Sequence, residues 1–200
     1  MRKLRKRNVL ATLSASVLAL PFLLPAPAAS AHGFISGPES RSAYCYDGTV
    51  QDCGDIQWEP QSVEGPKGYP AGGPPDGQLC AGADERWAPL DDPRGGQWPT
   101  TRLTSGSRFA FTWEIQANHS TTSFRYYVTK PTWNPATPIT RAQIESTPFL
   151  NVPYHGAQPG THEVHTGTLP TGRTGRAVIF AVWTIDDTDN AFYSCSDVTF

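Results

Sequence analysis

Apolar and polar positions follow two regimes along this chain. From residue 107 onward, apolar side chains recur at every second position. Phe109, Phe111, Trp113, Ile115 and Ala117 alternate with Arg108, Thr112, Glu114 and Gln116. One apolar face and one polar face predict a half-buried strand. Phe124, Tyr126 and Val128 repeat the period after a short break. The run RAVIFAVWTI, residues 176 to 185, is apolar at nearly every position and has the length of a strand, which predicts a central one. SCSDVTF at the C-terminal end predicts a further strand, and HEVHTGTLPTG adds shorter pieces. No long amphipathic helix is legible. Short strands punctuated by turn residues predict an all-β fold, an antiparallel β-sandwich of immunoglobulin or fibronectin type III kind.

Residues 36 to 100 break this pattern. They are rich in Gly, Pro, Asp and Ser, and GYPAGGPPDG fits neither a helix nor a central strand. The expectation is a long loop region, pinned by disulfides and containing short helical turns. The four cysteines are Cys45, Cys53, Cys80 and Cys195. Two disulfides are the default for an exported chain, and three pairings are possible. The favoured one joins Cys45 to Cys53 across a short loop and Cys80 to Cys195. A tetracysteine metal site would need CxxC-type spacing, which is absent.

The export premise comes from the other end. Arg2, Lys3, Arg5, Lys6 and Arg7 precede an apolar run from Val9 to Leu24, and Ala29-Ser30-Ala31 has the small-x-small pattern of a cleavage site. Residues 1–31 therefore predict a secretory signal peptide, leaving residues 32–200 as one secreted domain of 169 residues, long enough for a sizeable core. No second apolar run of spanning length follows. The first 31 residues hold five of the 16 Lys and Arg and none of the 18 Asp and Glu, so removing them moves the net charge from −2 to −7. An acidic balance argues against nucleic acid and anionic membranes as partners, and leaves a neutral polymer open.

Cleavage after Ala31 would make His32 the first residue, with a free amine beside its own imidazole. The other histidines are His119, His155, His162 and His165. His162 and His165 resemble a metal pair, but three residues apart on a strand they face opposite sides. Both, and His155, read as ordinary surface or hydrogen-bonded residues. His119 sits at a strand-to-strand corner, where side chains are presented at a sheet end. One amine and two imidazoles make three nitrogen donors, a set that favours Cu(II). An α-amino pKa of about 8 lets a metal displace the amine proton near neutral pH.

Four segments carry a resemblance: HGFISGPESR after the cut, WEPQSVEGPKGYP at 58 to 70, HSTTSFRYYVTKPTWNP at 119 to 135, and DDTDNAFY at 186 to 193. Together they resemble the bacterial lytic polysaccharide monooxygenases of auxiliary activity family ten, the chitin-binding-protein type, over essentially all of residues 32–200. The resemblance implies one copper ion per chain in a histidine brace, built from the His32 amine, the His32 imidazole and the His119 imidazole. It implies Phe192 at one axial side, Ala117 crowding the other, and Glu64 reaching toward the reacting oxygen. From the residues alone, Phe192 reads as a core aromatic and Glu64 as a solvated loop carboxylate.

The resemblance further implies a substrate patch of Trp58, Glu59, Pro60 and Gln61, with Gln116, Asp187 and Asn190 nearer the copper. Trp58 lies in a polar, proline-containing loop and is expected to be exposed, whereas Trp113 and Trp183 alternate within strands and read as core. The implied activity is oxidative cleavage of crystalline chitin at C1. It uses an external electron donor and O2 or H2O2, and the protein is expected to be a monomer. Two departures are Trp58 where tyrosine is common and Phe124 where tryptophan is frequent. The competing reading is a non-catalytic chitin-binding protein, which would have no need of His32 and His119. A zinc hydrolase lacks an HExxH-type motif.

Overall fold

The computed structural model describes residues 31–200, and the expected signal peptide, residues 1–31, lies outside the described residues except for Ala31. Two sheets, antiparallel except for the short parallel pair β3–β9, carry the fold. The alternating segment forms β4 (Arg108–Ala117), flanked by β1 (His32–Gly37) and β7 (His162–Thr168) in a three-stranded sheet ordered β1-β4-β7. The second sheet runs β2-β9-β8-β5-β6, with β3 paired to the far part of β9. Its strands are β2 (Glu64–Pro66), β3 (Thr101–Arg102), β5 (Thr121–Val128), β6 (Leu150–Pro153), β8 (Arg176–Ile185) and β9 (Asn190–Thr199). The arrangement is an immunoglobulin-like β-sandwich, as the turn-punctuated short strands predict.

Period-two burial decides which side chains meet. Phe111, Trp113 and Ile115 from β4 face Phe124, Tyr126, Ala181, Trp183 and Phe192 across the sandwich. The apolar run of β8 is continuous because both its faces are covered. Ile179, Ala181 and Trp183 point between the sheets, while Val178, Phe180 and Val182 point to a second core under the loop region. That second core gathers Ile56, Val63, Tyr69, Leu79, Trp87 and Trp98 against the outer face of the larger sheet. The Gly- and Pro-rich segment is thus a third layer, not an idle excursion.

Short turns and cross-links hold that layer. Ser40 caps α1 (Arg41–Tyr46), its hydroxyl accepting from Ala43 N. Three short 3-10 turns follow, at Gly54–Gln57, Glu85–Leu90 and Arg94–Gly96. The disulfides join Cys45 to Cys53 and Cys80 to Cys195. The buried Arg41 guanidinium donates to Asp197 on β9 at 2.7 Å and to the Leu90 carbonyl at 2.7 Å. Two boundaries differ from the sequence expectation. The last strand starts at Asn190, not Ser194, because Ala191 to Tyr193 pair with Val182 to Thr184 of β8 in a hairpin. The HGFISG segment is a strand, because it finds β4 as a partner.

Candidate metal centre

One end of the sandwich gathers the candidate residues. The β1–β4 register sets His32 opposite Ala117, with an irregularity between His32 and Gly33 that re-aims the first residue. His119 follows Ala117 by two residues, at the corner leading into β5. A side chain at position 33 would crowd its neighbours, since a Cβ there would stand 3.1 Å from the Trp183 ring and 3.2 Å from the Glu114 carbonyl. Gly33 N also donates to the Gln61 carbonyl at 3.0 Å, which brings the loop carrying Trp58 to Gln61 beside His32.

The His119 corner is tied on several sides. Trp183 Nε1 donates to Thr121 Oγ1, and Thr121 Oγ1 donates to the His119 carbonyl. Asn118 Nδ2 donates to the Pro159 carbonyl and Ser120 Oγ to the Gly156 carbonyl. His119 is 8% exposed. Its buried Nδ1 makes no hydrogen bond of regular geometry, but Asp187 Oδ1 stands 2.8 Å from it, so a carboxylate already faces that nitrogen.

Phe192, Glu64 and Asn190 fall around the same end. The Phe192 ring centroid is 6.4 Å from that of His32, and Phe192 packs 5.0 Å from the Trp183 ring. Glu64 pairs with Phe192 in the β2–β9 ladder, and Asn190 Nδ2 donates to Glu64 Oε1 at 2.8 Å. Far from a freely solvated loop carboxylate, Glu64 is half-buried in a strand and oriented by a neighbour. The Lys67 ammonium donates to the Thr188 carbonyl, and Lys67 N to the Asp189 carbonyl at 2.9 Å, so the 186–189 turn is fastened to β2.

The surface expectations divide. Trp58 is 74% exposed, while Trp113 and Trp183 are fully buried. Gln116 and Asp187 are exposed, and Glu59, Gln61 and Asn190 are half-buried. Pro60 corrects the expectation of a continuous patch: it is buried. The backbone turn from Asp55 to Ser62, held by Trp58 N to Asp55 O and Ser62 N to Glu59 O, turns its ring inward. His155 is exposed, and His162 is exposed with Nδ1 3.0 Å from Glu114 Oε1. His165 is buried and bonded to Tyr126, so the HxxH pair does face two ways. Sequence reasoning missed Thr121, whose hydroxyl carries the link between core and corner. A threonine opening a strand has no signal beyond ordinary strand preference.

Among the described residues no three His, Cys, Asp or Glu side chains cluster to hold a metal. Two imidazoles therefore need a third donor of another kind, and an α-amine on His32 is such a donor. The all-nitrogen set, two imidazoles and one α-amine, fits copper.

Comparison with known proteins finds similar sequences and similar structures. A family described as lytic polysaccharide mono-oxygenase, cellulose-degrading, matches residues 32–198. Among curated relatives, AA10 family lytic polysaccharide monooxygenase C of Mycosarcoma maydis is 42% identical over 173 residues, 85% of this chain and 52% of that protein. GlcNAc-binding protein A of Shewanella oneidensis is 41% identical over 172 residues, 86% of this chain and 36% of that protein. The chain thus spans about a third to a half of the length of these relatives. An AA10 lytic polysaccharide monooxygenase from Streptomyces lividans superposes with a TM-score of 0.83 at 53% identity, covering 84% of this chain and 100% of that one. A Bacillus amyloliquefaciens CBM33 structure in complex with Cu(I) superposes with a TM-score of 0.76 at 36% identity, covering 84% and 99%.

Proposed function

The chain belongs to auxiliary activity family ten of the lytic polysaccharide monooxygenases, and from that membership we propose a secreted copper enzyme, residues 32–200 after cleavage, that oxidatively cleaves crystalline chitin at C1. The observation that carries the proposal is the placement of His119 two residues past Ala117, the ladder partner of His32, which puts both histidines at one end of the sandwich. In the 200-residue chain the nitrogen of His32 is a peptide amide, a poor donor, and cleavage after Ala31 turns it into an amine.

The His32 amine, the His32 imidazole and the His119 imidazole would hold the copper. When bound, copper supplies one-electron chemistry between an external reductant and O2 or H2O2, ending in removal of hydrogen from a sugar C–H. The protein fixes the donors and shapes the surroundings. Phe192 presents an apolar ring beside His32 and keeps water from that side. Glu64, oriented by Asn190, places a carboxylate that can hold or accept a proton at the edge of the centre. Trp58 offers an exposed aromatic face for a sugar ring.

Two considerations support chitin. The curated relatives include proteins named for binding GlcNAc, and the QWEPQSVEG loop resembles that of chitin-active members more than that of cellulose-active ones. The family description names cellulose, so cellulose is the alternative substrate. The test is mass spectrometry of products from processed, copper-loaded protein on β-chitin and on cellulose, with ascorbate. Oxidised chito-oligosaccharides with aldonic-acid ends, dependent on reductant and on His119, are expected. Oxidised cello-oligosaccharides alone would change the substrate. No oxidised product, with chitin binding intact, would leave a non-catalytic binding protein.

A further inference from the structure

A small, mostly enclosed cavity of about 30 Å³ lies where β5 ends and β8 begins. β5 runs from Thr121, beside the His119 corner, to Val128, while β8 starts at Arg176 and reaches Thr121 only at Ile185. The length of the sandwich therefore separates this cavity from the candidate metal centre. Thr129, Lys130, Arg173, Arg176, Ala177 and Phe200 line it. Backbone bonds fix the frame. Thr129 N donates to the Val178 carbonyl at 3.0 Å, Gly175 N to the Phe200 carbonyl at 3.2 Å and Phe200 N to the Gly175 carbonyl at 2.9 Å.

The polar side chains that line it are three cations and two threonines, with no Asp or Glu. Thr129 is fully buried, and its Oγ1 accepts from Val178 N at 3.0 Å, which leaves the hydroxyl proton to donate. Arg173 Nη1 donates to the Thr129 carbonyl at 3.0 Å, and Nη2 to Glu145 Oε1 at 2.9 Å. Lys130 Nζ donates to the Ala142 carbonyl at 2.8 Å and keeps further N–H groups to give. Arg176 Nη2 donates to the Trp98 carbonyl, while its buried Nε has no hydrogen-bond partner. Carboxylates fall short of this charge. Glu145 answers Arg173, and Asp197, 4.0 Å from Arg176 Nη2, is already bound by Arg41 at 2.7 Å. Among the described residues Lys130 has no ion pair, and the carboxylate of Phe200 makes none with the three cations. Like charges drawn together and partly out of water repel unless an anion joins them.

We infer that this cavity binds one halide ion, held by the Thr129 hydroxyl, the Lys130 ammonium and the Arg176 guanidinium. Size selects the class. A water molecule takes up about 30 Å³ of the liquid, so the space suits one particle of about that size and excludes sulfate, phosphate and any organic acid. Charge selects the ion over water, because the surrounding donors carry more positive charge than Glu145 and Asp197 offset. The bound ion joins three segments that meet only here: the end of β5, the turn at 172–176 and the chain at Phe200. Its effect is on the stability of that end of the sandwich, and the reading of the copper site does not depend on it.

The experiment uses bromide as the probe. Crystals of the processed protein grown with sodium bromide are measured at the bromine absorption edge. In parallel, thermal unfolding is followed as sodium chloride or bromide replaces sodium methanesulfonate, whose anion is too large to enter, at constant ionic strength. An anomalous peak beside Thr129 Oγ1 and a melting temperature that rises saturably with halide are expected. Lys130→Gln should weaken the halide dependence about tenfold, as loss of a charge-assisted contact does, and Lys130→Arg should retain it. The wild-type measurements decide the site even where a variant folds poorly. An ordered water only, with no bromine signal in the cavity, would overturn the inference. A peak without any saturable rise would overturn it too, as binding at crystal concentration only, and so would wild-type halide dependence in a folded Lys130→Gln protein.

Discussion

Trp183 Nε1 donates to Thr121 Oγ1 at 2.8 Å, and the same hydroxyl donates to the His119 carbonyl at 2.9 Å. An indole at the centre of the sandwich thereby fixes the backbone of a candidate copper ligand. Thr121→Val keeps the shape and removes both bonds, leaving the Trp183 N–H buried and unpaired. The expected cost is about 1–3 kcal/mol, with copper affinity reduced as well, and Thr121→Ser should retain both properties. Thermal unfolding with and without copper checks this. A valine variant with wild-type stability would show that the link carries nothing.

Trp58→Ala should weaken binding to chitin while copper affinity stays at the wild-type value. The indole is 74% exposed and belongs to neither core, so its loss removes a stacking surface, not packing. Pull-down on β-chitin beside copper calorimetry separates the two effects. Unchanged chitin binding would take Trp58 out of the substrate face.

The disulfides should differ in worth. Cys80 and Cys195 are 115 residues apart in sequence, Cys45 and Cys53 only 8. By loop-closure entropy the long cross-link restricts the unfolded chain by about 5 kcal/mol and the short one by about 2.5 kcal/mol. Serine pairs at each site, compared by denaturant unfolding, are expected to show the larger loss for the 80–195 pair.

The buried His165 and the half-buried Asp91 give stability opposite pH slopes. Burial lowers the His165 pKa from its usual 6.5, opposed by the Glu163 carboxylate 3.7 Å away. Tyr126 OH accepts from Trp113 Nε1 at 3.0 Å and donates to His165 Nδ1 at 2.6 Å, which suits the neutral ring. Tyr154 OH, 3.4 Å from Nε2, completes its polar surroundings. The contribution of His165 is full above 6.5 and is lost as pH falls through the lower folded value. Asp91 is the reverse. Burial pushes it up to about 6, against hydrogen bonds from Cys80 and Ala81 N–H and the charge of Arg41. Its contribution is full below 3.8 and is lost as pH rises through about 6. Asp91→Asn should remove the decline in melting temperature between pH 4 and 6, and His165→Gln should flatten the fall below pH 6.5. Parallel pH profiles of either variant with the wild type would refute the assignment.

The legible parts of the sequence were those where one physical rule acted alone. β4 alternates because one face meets the core and the other meets water, and that pattern reads directly. β8 reads as central from its unbroken apolar run, though the reason, a loop layer covering its second face, is visible only in three dimensions. β2, β3 and β6 are short and carry Gly, Pro or polar residues, so no period could announce them; their partners make them strands. His119 stood out only beside the processed His32. Glu64 read as solvated because its partner Asn190 is 126 residues away. Pro60 entered the expected surface patch only through the family resemblance, yet it is buried.

The most direct test of the account is the copper affinity of the processed chain beginning at His32, measured by calorimetry with electron paramagnetic resonance. It is set beside a chain carrying one added residue before His32 and beside His119→Ala. The account predicts tight binding of one Cu(II), with a tetragonal all-nitrogen signature, by the processed chain alone. The added residue turns the amine into an amide, so both altered chains should lose it. Equally tight binding by the extended chain would contradict the account, because the third nitrogen would then not be the amine of His32.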